Sequence, residues 1–189
     1  MNLQGKTVYF LGSSITYGSA SGGISFADML CEALSAHMIK EAVSGTTIAD
    51  VDERSYIARL TANAAYDRVD LFVCQLSTND VWRSPSLAAT EEGLRRILAL
   101  VGERWGCPVA FYISPRFENG KEGYEQMIAM LYRLQGEYGF SVLDLWNDPD
   151  MLAVSEADRV RYMQDAAHPT LAGYREWWLP KFIAHCEAI

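Results

Sequence analysis

Apolar residues fall into two alternating patterns along the 189-residue chain. Residues 7–11, 69–76 and 108–114 are short, nearly continuous apolar runs, the pattern of strands buried on both faces. Residues 38–43 and 140–143 are weaker runs and read as two further strands. Between them, apolar positions recur at helical spacing. Phe26, Met29, Leu30, Ala33 and Leu34 mark a helix over residues 24–36, and Leu94, Ile97, Leu98, Val101 and Trp105 mark one over 87–105. Tyr124, Met127, Ile128, Leu131 and Leu134 mark a helix over 121–138, with Gly139 as its stop. Residues 51–65 read as helical on weaker periodicity. Residues 170–189 form a closing helix that Pro180 is expected to break or kink.

This βαβαβαβαβα order predicts one α/β domain over residues 1–189, a parallel sheet with helices on both faces. The composition fits a globular chain: half hydrophobic, 21% charged. A formal net charge of −8 argues against nucleic acid or an anionic membrane as partner, because both need a basic face. No stretch approaches the apolar length of a membrane span, so no stable membrane association is expected. Residues 1–6 lack a basic region leading into a long apolar stretch, and a cytoplasmic location is expected. Cys31, Cys74, Cys107 and Cys186 are scattered, which predicts reduced, mostly buried thiols rather than a zinc site.

In an open parallel sheet, ligands bind beyond the carboxyl ends of the strands. The residues placed there are small and polar: Gly12 to Thr16 after the first strand, Ser44 to Thr47 after the second, Ser77 to Asp80 after the third. A serine needs a base and an oxyanion site before it can attack a carbonyl at neutral pH. Of the three histidines, His37 falls at the opposite sheet edge and His185 in the closing helix. His168 precedes Pro169, which favours an extended residue just before a helix, and Asp165 lies three residues back, within a turn's reach of the imidazole. That pairing would turn the second ring nitrogen toward a serine. Each signal also has an ordinary reading, as helix cap, turn or capped loop; their joint placement is what singles them out.

Taken together, these blocks resemble the SGNH hydrolases, the GDSL-type esterases and lipases. Gly12-Ser13-Ser14-Ile15-Thr16 is similar to the GDSIT block, Gly45 to the second-block glycine, Asn79 in Ser77-Thr78-Asn79-Asp80 to the GxND asparagine, and Asp165 with His168 to the DxxHP block. Ser13 stands where the family has Asp, and Ser77 where it has Gly. The resemblance implies a three-layer α/β/α, flavodoxin-like fold with five parallel strands in the order 2-1-3-4-5. It also implies Ser14 as nucleophile, His168 as base and Asp165 as its orienting acid. The Ser14 N–H, the Gly45 N–H and the Asn79 side-chain amide would form the oxyanion hole.

The expected reaction is hydrolysis of a small-molecule carboxylic ester through an acyl-enzyme, without metal or organic cofactor. Short acyl esters come first, acetyl groups on carbohydrate above all, because so small a chain has little sequence for a lid. Lysophospholipid-like esters come second. Trp82, Arg83, Arg116 and Phe117 follow strands three and four and are candidates to line the pocket. A different class is a flavodoxin-like binding module in which residues 13–19 with Gly22 and Gly23 cradle a phosphate or flavin. A third is a weakened relative kept for interaction, motivated by Ser13 and Ser77. A histidine base predicts activity that rises with pH as the imidazole loses its proton.

Overall fold

The computed structural model describes residues 1–63 and 66–189. Among them, β1 (Thr7–Gly12), β2 (His37–Ala42), β3 (Leu71–Gln75), β4 (Val109–Ile113) and β5 (Ser141–Asp144) form one sheet in the order β2-β1-β3-β4-β5. Every pairing is parallel. This is the expected topology, and the order reverses beside β1, where a crevice opens at the carboxyl ends.

Side chains of a strand alternate between faces, so a sheet covered on both sides needs apolar residues at every position. β1 meets that demand. Val8 and Phe10 enter a core under α2 (Phe26–Ala33) and α9 (Leu179–Ala188), while Tyr9 and Leu11 enter the opposite core under α3 (Tyr56–Ala62), α5 (Leu87–Arg104) and α6 (Lys121–Tyr138). Short helices complete the chain: α1 (Ser14–Tyr17), α4 (Asp80–Arg83), α7 (Pro149–Leu152) and α8 (Glu156–Tyr162). Cys31, Cys74 and Cys186 are buried free thiols. No helix among the described residues is long and apolar enough to cross a membrane.

Local signals set the helix ends. Ser25 and Asp28 close a reciprocal capping box on α2, and Ser86 caps α5 by accepting the Ala89 N–H. α6 has the bounds expected for it and ends at Gly139 in the left-handed region. Two helices differ from expectation. The segment 51–65 is helical only over Tyr56–Ala62, capped by Ser55, because residues 52–55 turn first; positions 64 and 65 lie outside the described residues. The closing helix is not broken at Pro180. It widens into a π segment, Gly173–Trp178, and Pro180 then sits in the first turn of α9, where a missing N–H matters least.

Candidate active site

α1 begins at Ser14, immediately beyond β1, and the loop carrying His168 lies directly before the closing helix. Across 154 residues of sequence, the Ser14 hydroxyl lies 2.8 Å from His168 Nε2. On the other side of the ring, Nδ1 lies 2.9 Å from Asp165 Oδ2 and 3.0 Å from Oδ1. An ionised carboxylate can only accept, so Nδ1 carries the proton, and Nε2 is left to accept from the serine hydroxyl. Asp165 Oδ1 also accepts the backbone N–H groups of Ala167 and His168, each at 2.8 Å. Partial burial pushes the Asp165 pKa up, but these N–H donors and the imidazole outweigh it and hold the carboxyl below its usual range.

The loops after β2 and β3 close around the serine. Ser14 is the first residue of α1, so its N–H has no acceptor within the helix. Gly45 has φ +76°, in the left-handed region that favours glycine. Asn79 donates one amide hydrogen to Thr46 O at 2.9 Å, which fixes the amide orientation and leaves the other hydrogen free for a ligand. Ser77 donates to Thr46 O and accepts the Asn79 N–H, so the hydroxyl in place of the family glycine ties the two loops together.

Two buried charged residues brace these loops, and neither was singled out from the sequence. Asp80 accepts the N–H groups of Ile48 and Ala49 and the Thr90 hydroxyl, at 2.8, 2.9 and 3.0 Å. Burial raises its pKa against the pull of those donors. Arg59, 9% exposed, donates to Gly12 O, Glu41 O, Arg54 O and Thr46 Oγ1, and pairs with Glu41 at 3.2 Å. It thereby joins the ends of β1 and β2 to the Gly45 loop. Its acceptors are mostly main-chain carbonyls, which carry no sequence signature. Tyr174 adds a further tie: its hydroxyl donates to Ile15 O at 2.6 Å and joins the helix after His168 to the helix that begins at Ser14.

The cleft over Ser14 measures about 470 Å³ and is lined by Ser19, Ser44, Gly45, Thr78, Asn79, Trp82 and His168, among others. Trp82 stands at its wall, half exposed. Arg83 lies beside Gly45 and pairs with Asp52 at 3.2 Å. The other two residues expected at the pocket are placed elsewhere. Arg116 turns to Trp146 O and Asn147 Oδ1 and lines a separate cleft with Arg159. Phe117 is buried between Tyr124 and Trp146, because its ring gains more in the core than at a wet rim. Position after a strand specifies the sheet edge, not the direction of the side chain. Among the described residues, no three His, Cys, Asp or Glu side chains cluster as metal ligands.

The loop weighed as a phosphate cradle is closed on itself. The N–H groups of Tyr17, Gly18, Ser21, Gly23 and Ile24 all donate to carbonyls of residues 13–21, and Lys40 Nζ binds Gly23 O and Asp28. An anion nest needs those N–H groups free.

Residues 10–176 match the GDSL-like Lipase/Acylhydrolase family. No curated protein matches the chain at a significant level. Similar solved structures include a Lactobacillus plantarum protein, 21% identical, TM-score 0.82, covering 98% of each chain. A lipase/acylhydrolase from Enterococcus faecalis is 17% identical, with TM-score 0.75, covering 97% of this chain and 96% of its own. An acetyl xylan esterase, AlAXEase, is 18% identical, with TM-score 0.72, covering 94% and 98%.

Proposed function

The chain belongs to the GDSL-like lipase/acylhydrolase family, and from that premise we propose that Ser14, His168 and Asp165 hydrolyse short acyl esters through an acyl-enzyme. Family membership makes the protein a serine hydrolase acting on esters; the residue roles and the substrate are our reading. The observation that carries it is the contact between Ser14 Oγ and His168 Nε2, with Asp165 on the far ring nitrogen.

In this mechanism the Ser14 oxygen bonds to the ester carbonyl carbon while His168 Nε2 takes the hydroxyl proton. Asp165 holds the imidazole in the required tautomer and balances the charge that forms on it. The carbonyl oxygen becomes an oxyanion facing the Ser14 and Gly45 N–H groups and the free Asn79 amide hydrogen. Collapse breaks the bond to the alcohol, which leaves with the proton from Nε2. Water then repeats the cycle, releasing the acid and restoring Ser14.

Short acyl groups, with acetyl esters of carbohydrate first, are supported by the cleft itself. Beside the apolar wall of Trp82 and Ala167, the hydroxyls of Ser19, Ser44 and Thr78 and the Asn79 amide offer hydrogen bonds that a polar alcohol can use. Trp82 offers an exposed aromatic face of the kind that packs on a sugar ring. The fold is also shared with a protein named an acetyl xylan esterase.

A panel of p-nitrophenyl esters of increasing chain length, with acetylated xylo-oligosaccharides, tests this reading. Acetate should be hydrolysed with the highest kcat/KM, and Ser14→Ala should lower kcat by roughly 10⁴-fold or more. A fluorophosphonate should label the wild type and not the variant. Retained turnover in Ser14→Ala would remove the serine mechanism. A rate that climbs with chain length would replace the short-acyl reading with a lipid-like one.

A further inference from the structure

The turn that carries Ser14 is fixed by a side chain outside the triad and the oxyanion donors. Gln75 ends β3, fully buried in a strand that is otherwise apolar. Its Oε1 accepts the Ser13 N–H at 2.9 Å, the Ser13 hydroxyl at 3.1 Å and the Thr16 hydroxyl at 2.9 Å. The oxygen assignment is forced, because a backbone N–H can only donate. Ser14 therefore lies between two residues tethered to one atom. Thr16 is braced further by Tyr112 on β4, hydroxyl to hydroxyl at 2.7 Å. A Cβ on Gly12 would fall 1.7 Å from Thr16 Oγ1 and 3.0 Å from Gln75 Oε1, so the turn closes over Gln75 only with glycine there.

The arrangement favours placement over full satisfaction. Three donors converge on an oxygen with two lone pairs, while Gln75 Nε2 is buried without a partner among the described residues. A buried polar group left in that condition opposes folding, and such groups call for an explanation at the site. The same contacts account for serine at position 13. A carboxylate there would meet Gln75 Oε1 acceptor to acceptor, whereas a hydroxyl donates to it.

We propose that Gln75 is a positioning residue: its amide oxygen locks residues 13–16 so that the Ser14 hydroxyl stays aimed at His168 and the Ser14 N–H at the oxyanion. The proposal rests on Ser14 being the nucleophile.

The test compares Gln75→Met, which keeps size and loses the acceptor, with Gln75→Glu, which keeps acceptor oxygens. On p-nitrophenyl acetate, Gln75→Met should lower kcat roughly 10–10²-fold, with KM changed far less, since displacements of this kind act on the attacking geometry. The rate of fluorophosphonate labelling should fall by a similar factor, and Gln75→Glu should recover most of both. Wild-type kcat and labelling in folded Gln75→Met would overturn the proposal, as would a loss that Gln75→Glu fails to relieve while its melting temperature matches that of the wild type. If Gln75→Met does not fold, Ser13→Ala combined with Thr16→Val removes two of the three donors; undiminished kcat there also overturns it. An active Ser14→Ala would instead mean that the nucleophile assignment had failed, while an inactive Ser14→Ala with a fully active Gln75→Met would defeat this inference alone.

Discussion

The nucleophile and its base are held in contrasting ways. Around Ser14, the residues Ser13, Thr16, Thr46, Gln75 and Asp80 are all buried; Ser13 and Thr16 bond to Gln75, Thr46 accepts from Arg59, and Asp80 accepts from the backbone of Ile48 and Ala49. On the other side, the Asp165 and His168 side chains are 52% and 30% exposed, and most of their contacts lie within four residues of chain. That loop is closed at its base mostly by its own neighbours, through a bridge between Met163 and Pro169 and the Thr170 bonds to Tyr162 O and Arg161 O, while the Tyr174 hydroxyl on Ile15 O ties the helix after it to α1. A buried, cross-linked region opens only with much of the domain, whereas an exposed local turn can shift alone. Substitutions on the nucleophile side should therefore change stability and rate together, and substitutions on the base side should change rate alone.

Asp165→Asn tests the base side and carries the largest expected effect. The amide oxygen can still accept the Ala167 and His168 N–H groups, but an amide N–H now faces Nδ1 and favours the tautomer with its proton on Nε2. We expect kcat/KM to fall roughly 10²–10⁴-fold. The melting temperature should stay close to that of the wild type, because the side chain is half exposed. Loss of rate and stability in step would erase the contrast.

Arg59→Met tests the nucleophile side. It leaves the Gly12 carbonyl with only the longer Val43 N–H bond, 3.3 Å, and Glu41, 23% exposed, without its cation. Removing one partner of a buried ion pair costs about 3–5 kcal/mol, and the partial exposure of Glu41 places the expected loss near the lower figure. Urea unfolding should show that loss, with kcat reduced in the same variant because the Gly45 loop loses the Thr46 contact. A stable variant with altered rate would mean that this region is no more cross-linked than the other.

The same contrast decided what the sequence could reveal. The three central strands were legible because a doubly covered sheet demands apolar runs, and the base loop because Asp165, His168 and Pro169 are neighbours in the chain. α6 was legible to both ends because its apolar period is long and a glycine stops it. The buried braces were not. Gln75 left a trace, a polar residue near the end of an apolar run, but nothing told whether it faced a helix or the site. Arg59 sits in a helix of weak period and binds carbonyls that every residue possesses. Phe117 shows the reverse error: its position matched the site edge, and its ring packed into the core.

The smallest effect, and the sharpest distinction, lies in acid. Asp165 has a folded pKa below its unfolded value of about 3.9, so its ionised form favours the fold above that pH, and the contribution fades as pH falls through the folded value. Asp80 has the opposite sign. Burial raises its folded pKa, so the folded state binds its proton more tightly, and stability falls as pH rises from about 3.9 through the raised value. From about pH 5 downward, melting temperatures of Asp165→Asn should lack part of the wild type's acid loss. Those of Asp80→Asn should start lower, because one of its amide hydrogens must face a backbone N–H of the Gly45 loop, and should climb more steeply from pH 4 upward than those of the wild type. Parallel curves for Asp80→Asn and the wild type would mean that the buried carboxylate titrates as if it were in water, and the brace on the Gly45 loop would have to be looser than its three short hydrogen bonds imply.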